Sequence, residues 1–318
     1  MGNETINAAV LHAQGATPRY EPFPAPSAAD GQVVATVLAA ALKPVDRWLA
    51  DGAHHAAPAR FPLVVGADGV GVLDDGSRVA FLAPAPPYGG MAERVALRPG
   101  MWLPVPHGVD DVTAAALANP GLAAWKALVH VGELTEGQSV LVLGATGASG
   151  RIAARIARRY GAGRVVAAGR DARVLETLGA DATIRVDSPR EELAAAFATA
   201  GPYDLVVDYL WGPPAEALFA ALAGSQAPRI RYVQVGISAG ATLTLPATAL
   251  RAAPLELVGN GGTGRRLPDL DEVAGVYRDL LTWTAAGELE IEIERVPLAD
   301  VATAWLNADG RRRVVFVP

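Results

Sequence analysis

The chain contains no cysteine. That absence excludes a disulfide framework, a thiolate nucleophile, an iron–sulfur cluster and a cysteine-ligated zinc site. Lysine is nearly absent as well: of 27 basic residues only Lys43 and Lys126 are lysines, and the rest are arginines. Positive charge is in deficit overall, with a formal net charge of −6, which argues against a nucleic-acid partner because phosphate backbones are bound by clustered cations. No long uninterrupted hydrophobic run exists either. The most apolar stretch, 113–131, is broken by Asn119, Pro120 and Lys126, and reads as a buried helix rather than a membrane span. The start, MGNETINAAVLHAQG, has an early glutamate and neither a basic n-region nor a long apolar core. It does not read as a signal peptide, so a cytoplasmic protein without membrane attachment is expected.

What is present is length and apolar content. The 318 residues, 51% of them hydrophobic, suffice for two domains with separate cores. Before residue 112 short apolar runs alternate with Gly/Pro turns: AAVLHA, QVVATVLAAAL, PLVVGADGVGVL, SRVAFLAPAP and ERVALR. Such runs predict the strands of a β-rich unit. Beyond 112, strands at 139–143, 164–168, 182–186, 204–209 and 230–235 alternate with helices at 150–160, 171–178, 191–200 and 215–222, and a further strand follows at 255–258. This β-α rhythm predicts an α/β fold with a doubly wound parallel sheet covered on both faces. The tail reads as a helix at 269–285, a strand at 290–295, a helix at 299–307 and a last strand at 313–317. A terminal strand with no helix after it must join an existing sheet. The predicted division is therefore 1–118 with 266–318 in one domain and 119–265 in the other, without repeats or low-complexity linkers.

The strongest chemical signal is VLVLGATGASGRIAARIARRYG, residues 140–161, where an apolar strand enters a loop holding Gly144, Gly147 and Gly150 and a helix begins at once. From Ala145 the spacing is A-x-G-x-x-G, a dinucleotide fingerprint with alanine at its first position. Gly147 lets backbone approach a pyrophosphate and Gly150 lets the helix pack close to its strand. The N–H groups of Gly147, Ala148 and Ser149 face the phosphate at the helix N-terminus, and the hydroxyls of Thr146 and Ser149 offer further donors. An NAD site places an acidic residue at the end of the second strand to accept the ribose hydroxyls. Here that slot is Gly169, which leaves room for a phosphate, and Arg170 follows with a forked cation, supported by Arg173. The pattern favours NADPH. The competing reading makes Arg170 a solvated loop residue and Asp171 the ribose acceptor.

Together with the stretches ALKPVDRWLADG (41–52), FPLVVGADGVGVL (61–73), YGGMAERVAL (88–97) and the closing GRRRVVFVP, the chain resembles the medium-chain dehydrogenase/reductase superfamily, in its zinc-independent, quinone oxidoreductase-like branch. Zinc-dependent members carry a cysteine at the position of Lys43 and Gly-His-Glu where this chain has Gly66-Ala67-Asp68, and they add a four-cysteine lobe that is missing here. The resemblance implies a GroES-like catalytic domain built from both chain ends, a Rossmann domain between them, and a cleft where the two meet. Ligands of open α/β sheets sit outside the carboxyl ends of the strands. That places Asp208, Tyr209 and Trp211 after one strand, and Val235, Gly236 and Ile237 after the next, near the nicotinamide, while Asn260 after the last strand lines the substrate pocket.

The position of Lys43 is usually asparagine in quinone oxidoreductase-like relatives. Two readings of the lysine stay open: a proton donor to the reduced carbonyl oxygen, its pKa lowered by burial, or an anchor for a ribose hydroxyl or for Asp46 or Asp68. Trp48, His55 and Asn119, together with Tyr209, Trp211 and Asn260, are the substrate-pocket candidates. Tyr88 reads as turn packing, and Arg311, Arg312 and Arg313 as a solvated turn. The expected activity is NADPH-dependent, metal-independent hydride transfer to a quinone or an α,β-unsaturated carbonyl. Reduction of simple ketones, a biosynthetic tailoring reduction, and a non-catalytic NADPH sensor are the alternatives. The apolar edge strand at 255–258 predicts a homodimer.

Overall fold

Valine- and alanine-rich runs closed by glycine and proline give the N-terminal part its short strands, as their β-branched periodicity requires. The computed structural model describes residues 4–28, 31–54, 56–261, 268–308 and 312–318. Two units divide the chain, Met1–Asn119 with Asp269–Pro318, and Pro120–Pro268.

In the first unit β1 (Thr5–Leu11) pairs antiparallel with β2 (Arg19–Pro24). After β3 (Val33–Ala41) comes a helix absent from the sequence reading, α1 (Pro44–Ala50), with proline at its first position and Asp46 in its first turn. β4 (Leu63–Val64) completes the three-stranded sheet on β1. β5 (Asp68–Leu73), β6 (Arg78–Leu82), β7 (Arg94–Leu97) and β8 (Trp102–Pro104) follow. Helix α2 (Asp111–Trp125) includes Pro120 and continues as a π-helical turn, Lys126–His130.

The second unit is a parallel six-stranded sheet: β9 (Ser139–Leu143), β10 (Arg164–Gly169), β11 (Ala182–Arg185), β12 (Leu205–Asp208), β13 (Ile230–Gln234) and β14 (Leu255–Gly259), in the order β11-β10-β9-β12-β13-β14. The connecting helices are α3 (Ala148–Arg159), α4 (Ala172–Thr177), α5 (Arg190–Ala200), α6 (Gly212–Leu222) and α7 (Ala247–Ala252), the last unforeseen from sequence. Leu141, Val166, Val206, Leu218, Phe219 and Tyr232 are among the buried residues of its core. β9 and β12 are neighbours although β10 and β11 lie on β9's other side, so winding reverses at β9. The crevice at such a reversal is where open α/β sheets bind ligands.

The chain then returns to the first unit through α8 (Leu270–Ala285), whose Tyr277 hydroxyl donates to the Ala114 carbonyl of α2 at 2.9 Å. β15 (Ile293–Pro297), α9 (Val301–Asn307) and β16 (Arg313–Val317) end the chain. β16 pairs with β3 as the unpartnered terminal strand required, in a seven-stranded sheet ordered β15-β16-β3-β5-β6-β8 with β7 also on β3. Among the described residues no helix is long and apolar enough to cross a membrane.

Candidate functional site

The glycine loop joins β9 to α3. Gly144, at φ +96°, turns the chain, and the amides of Gly144 and Ala145 donate to the Ala168 carbonyl at 2.9 and 2.8 Å, fixing the loop against β10. The two later glycines do different work. A Cβ on Gly150 would stand 2.7 Å from Ala145 Cα and overlap the Gly144 carbonyl oxygen, so only glycine lets α3 start this close to its strand. A Cβ on Gly147 meets nothing nearer than 3.6 Å. Folding leaves room for a side chain at 147, and its absence keeps the helix end bare. The first i→i−4 bond of α3 is from the Arg151 amide to the Gly147 carbonyl, so the preceding amides of Ala148, Ser149 and Gly150 precede the intrahelical ladder. Bare amides and the helix dipole together suit an anion.

At the end of β10 one expectation is corrected. The space over Gly169 is not left for a phosphate: a Cβ there would stand 2.8 Å from Thr146 Oγ1 and closer still to its methyl carbon, so glycine makes room for Thr146. The choice between Arg170 and Asp171 also sharpens. Asp171 Oδ1 accepts the amides of Arg173 and Val174 at 3.1 and 3.3 Å, capping α4. Arg170 and Arg173 are exposed, and neither guanidinium makes a hydrogen bond or close ion pair among the described residues, although Arg170 is near enough to the Asp187 carboxylate to help hold its pKa down.

Residues 208–211 form a locked turn after β12. Asp208 is fully buried and faces inward, not toward a ligand: its carboxylate accepts the Tyr232 hydroxyl at 2.6 Å, the Leu210 amide at 2.7 Å and the Trp211 amide at 3.0 Å. Burial pushes its carboxyl above the ordinary range, against these three donors. The lock holds Trp211 at φ 57° and ψ −161°, a backbone region that is almost exclusively glycine's and costs about 1–3 kcal/mol. The Trp211 ring lies edge-on to Phe219 and Tyr232, at centroid distances of 6.2 and 6.4 Å. It packs on the aromatic core of the unit, a placement the pocket assignment did not anticipate.

Tyr209 is clasped between two glycines. Its amide donates to the Leu143 carbonyl at 2.9 Å, a Cβ on Gly144 would stand 3.1 Å from its own Cβ, and a Cβ on Gly236 would stand 2.5 Å from its carbonyl oxygen. Its hydroxyl is buried with no hydrogen-bond partner among the described residues, and burial alone pushes the phenol well above its ordinary value. The amides of Val235 and Gly236 donate to the Asp208 carbonyl, and Ile237 is half-buried beyond them. Asn260 is tied to Gln234 through its amide and to the end of α2, where Lys126 Nζ donates to the Asn260 carbonyl at 3.0 Å.

The other titratable centre lies in the first unit. Lys43 is 2% exposed, and its ammonium donates to the Ala41 carbonyl at 2.6 Å and to Asp68 Oδ1 at 2.7 Å, with Asp46 Oδ2 at 3.2 Å. Asp46 in turn accepts the amides of Lys43 and Ala67, both at 2.8 Å, so it caps α1 and ties it to the start of β5. Burial opposes the Lys43 charge, but the Asp46 and Asp68 carboxylates outweigh it and hold its pKa above the ordinary value. A lysine poised low for proton donation is therefore not what the geometry provides. Its contacts are those of the ion-pair anchor.

Arg313 corrects a second expectation. It is 7% exposed, not part of a solvated turn, and its guanidinium donates to the Leu42 carbonyl at 2.9 Å beside the two carboxylates. Arg312 is exposed near Glu294, and Arg311 lies outside the described residues. Trp48 is half-buried on α1 and Asn119 half-buried within α2; His55 lies outside the described residues. Tyr88 packs edge-on to Phe23 and donates to the Ala25 carbonyl. Among the described residues no three His, Cys, Asp or Glu side chains converge as metal ligands.

No family model matches the chain. A protein of Emericella nidulans named "probable NADPH-dependent quinone reductase tdiC" is 29% identical over 333 aligned positions, covering 90% of this chain and 92% of the relative. The human quinone oxidoreductase is 32% identical over 142 positions, 42% of each chain. A solved structure, a "probable oxidoreductase" from Mycobacterium abscessus, superposes with a TM-score of 0.80 at 25% identity over the whole of both chains. The glycine loop on a parallel sheet, the terminal strand returned to the first unit and these likenesses agree: the chain has the fold of these oxidoreductases and is similar in sequence to proteins named quinone reductase and quinone oxidoreductase.

Proposed function

We propose that this protein is an NADPH-dependent, metal-independent oxidoreductase acting on a quinone or an α,β-unsaturated carbonyl. One arrangement carries the reading: the bare N-terminus of α3 at Gly147 beside two exposed guanidiniums that make no hydrogen bond among the described residues, Arg170 and Arg173, with Asp171 Oδ1 capping α4. The relative named for NADPH-dependent quinone reduction supports it. Bound NADPH supplies a hydride to an electron-poor acceptor. The amides of Ala148 and Ser149 neutralise its pyrophosphate, Gly147 admits it at backbone distance, and Arg170 with Arg173 clamps the 2′-phosphate.

Lys43 is not the proton source in this proposal, because its ammonium is spent on Ala41, Asp46 and Asp68. Water delivers the proton to the reduced oxygen instead. The metal-independent reading rests on the same residue, since a divalent ion placed here would meet an ammonium where a ligand is needed.

The test is titration of NADPH and NADH into wild type and Arg170→Ala/Arg173→Ala. Losing charge-assisted bonds to the 2′-phosphate is expected to weaken NADPH by about 10- to 100-fold and to leave NADH unchanged. Equal effects on both coenzymes would refute the phosphate assignment. Steady-state turnover with quinones, enals and saturated ketones then separates the acceptor classes, and activity confined to ketones would overturn the acceptor named here.

A cytoplasmic homodimer completes the proposal. β14 is an edge of its sheet, and Leu257 on it is 39% exposed. Light scattering at micromolar concentration is expected to give twice the 32.8 kDa chain mass, and Leu257→Lys to reduce it toward one copy. A monomeric wild type would dismiss the edge pairing.

A further inference from the structure

The Tyr209 hydroxyl is an unusual group for a folded interior. It is buried, it has no hydrogen-bond partner among the described residues, and no neighbouring charge accounts for its raised pKa, which burial alone explains. Buried hydroxyls are nearly always satisfied, and one that is not lowers the stability of the fold that contains it. The backbone around it is held from several sides: by Leu143 through the amide, by Gly144 and Gly236 through close approach, and by the Asp208 lock one residue earlier. Gly236 has to be glycine for Tyr209 to stand where it does, since a side chain there would collide with the Tyr209 carbonyl. The fold thus fixes an orphan donor in place instead of relaxing to satisfy it.

Sheet order says which ligand would pass the residue that carries that donor. A dinucleotide whose pyrophosphate sits at Gly147 and whose 2′-phosphate meets Arg170 lays its adenine half over β10, on one side of β9. Its other half must then run to the opposite side of β9, over β12, and Tyr209 is the first residue after β12. We infer that the Tyr209 hydroxyl is a hydrogen-bond donor to an oxygen on the nicotinamide half of the bound dinucleotide, left without a partner until the coenzyme arrives. The phenol, held neutral, donates and does not act as a base. This rests on the dinucleotide reading above and adds to it the residue that positions the reactive half.

The assignment makes opposite predictions for the free and the bound protein. In Tyr209→Phe the orphan is gone, so the thermal midpoint without ligand is expected to stay level or rise by about 2 °C. The Kd for NADPH is expected to rise about 3- to 10-fold, the value of one neutral hydrogen bond. Adenosine 2′,5′-bisphosphate, which carries only the adenine half, is expected to bind wild type and variant equally. A fall in the ligand-free midpoint would give the hydroxyl a structural partner and overturn the inference. So would an unchanged NADPH Kd, or a matching loss of bisphosphate affinity. A wild type that binds neither ligand would remove the dinucleotide reading itself, whereas a wild type that binds both with an indifferent variant removes only the role of Tyr209.

Discussion

Gly150→Ala is expected to unfold the second unit at temperatures where the wild type is intact. The added methyl would overlap the Gly144 carbonyl oxygen and stand 2.7 Å from Ala145 Cα, and both obstacles are backbone. Neither can rotate away as a side chain would. The loop is anchored to β10 through Ala168, and the buried Ile152, Ala153 and Ile156 fix α3 to its sheet, so relief requires α3 to lift off the core. Overpacking of this kind costs more than about 3 kcal/mol once backbone has to move, which in a unit of this size lowers the thermal midpoint by about 10 °C. Gly147→Ala is the control, three residues earlier in the same fingerprint. Its methyl has nothing within 3.6 Å, so stability is expected to hold within about 0.5 kcal/mol. NADPH affinity is expected to fall at least about tenfold, because the methyl stands where pyrophosphate has to approach backbone. Thermal denaturation and calorimetric titration of the two variants read both effects. A stable Gly150→Ala, or a Gly147→Ala that binds as wild type does, would show that the two glycines have been given each other's roles.

That contrast shows how far the sequence could be read. The strand-helix alternation after residue 112 came from local periodicity, and each parallel strand lies within a few residues of its expected place. The return of 313–317 to the first unit was legible because an unpartnered apolar strand has to find a sheet, and Val315 and Phe316 find it against Ala41 and Ala40 of β3. What stayed hidden depends on groups far apart in the chain. Arg313 sits in the run RRR, which reads as solvated charge, yet its acceptor is the carbonyl of Leu42, 271 residues earlier. Gly169 looked like a vacancy at its position in the fingerprint, and only the structure shows Thr146 folded over it. Asp208 read as a strand-end acid facing a ligand, and its inward turn follows from Tyr232 on the next strand. Helix α1 had a signal that periodicity missed: proline at its first position with an aspartate two residues later, a pattern that starts helices.

The lysine that the sequence set apart gives the other large effect. In Lys43→Met the ammonium leaves two buried carboxylates, Asp46 and Asp68, without their nearest cation. Asp46 keeps its two backbone amide donors, whereas Asp68 loses its bond at Oδ1, and its Oδ2 has no partner among the described residues even in the wild type. Removing one partner of a buried pair costs about 3–5 kcal/mol, since the remaining charge is stranded. The pH dependence has a fixed sign. Burial already raises the Asp68 carboxyl above its ordinary 3.8, with the Lys43 ammonium pulling it down; without that ammonium only Arg313 opposes burial and Asp46, and the value climbs further. A carboxyl whose folded value exceeds its unfolded one binds protons better when folded. Its penalty is absent below the unfolded value, grows as pH rises from there toward the folded one, and is complete above it. Lys43 itself contributes the reverse at the alkaline end: its raised value means stability that is complete below 10.5 and lost as pH rises through the folded value. The variant is therefore expected to trail wild type most at pH 8 and to close part of the gap toward pH 5, the direction that favours the protonated Asp68. Adding Asp68→Leu to Lys43→Met is expected to restore part of the loss at pH 8 and to flatten the pH dependence, because the stranded charge is gone. Thermal midpoints of the three proteins at the two pH values decide it: a Lys43→Met deficit that is larger at pH 5, or one untouched by Asp68→Leu, would mean that Lys43 does not act in the fold through Asp68.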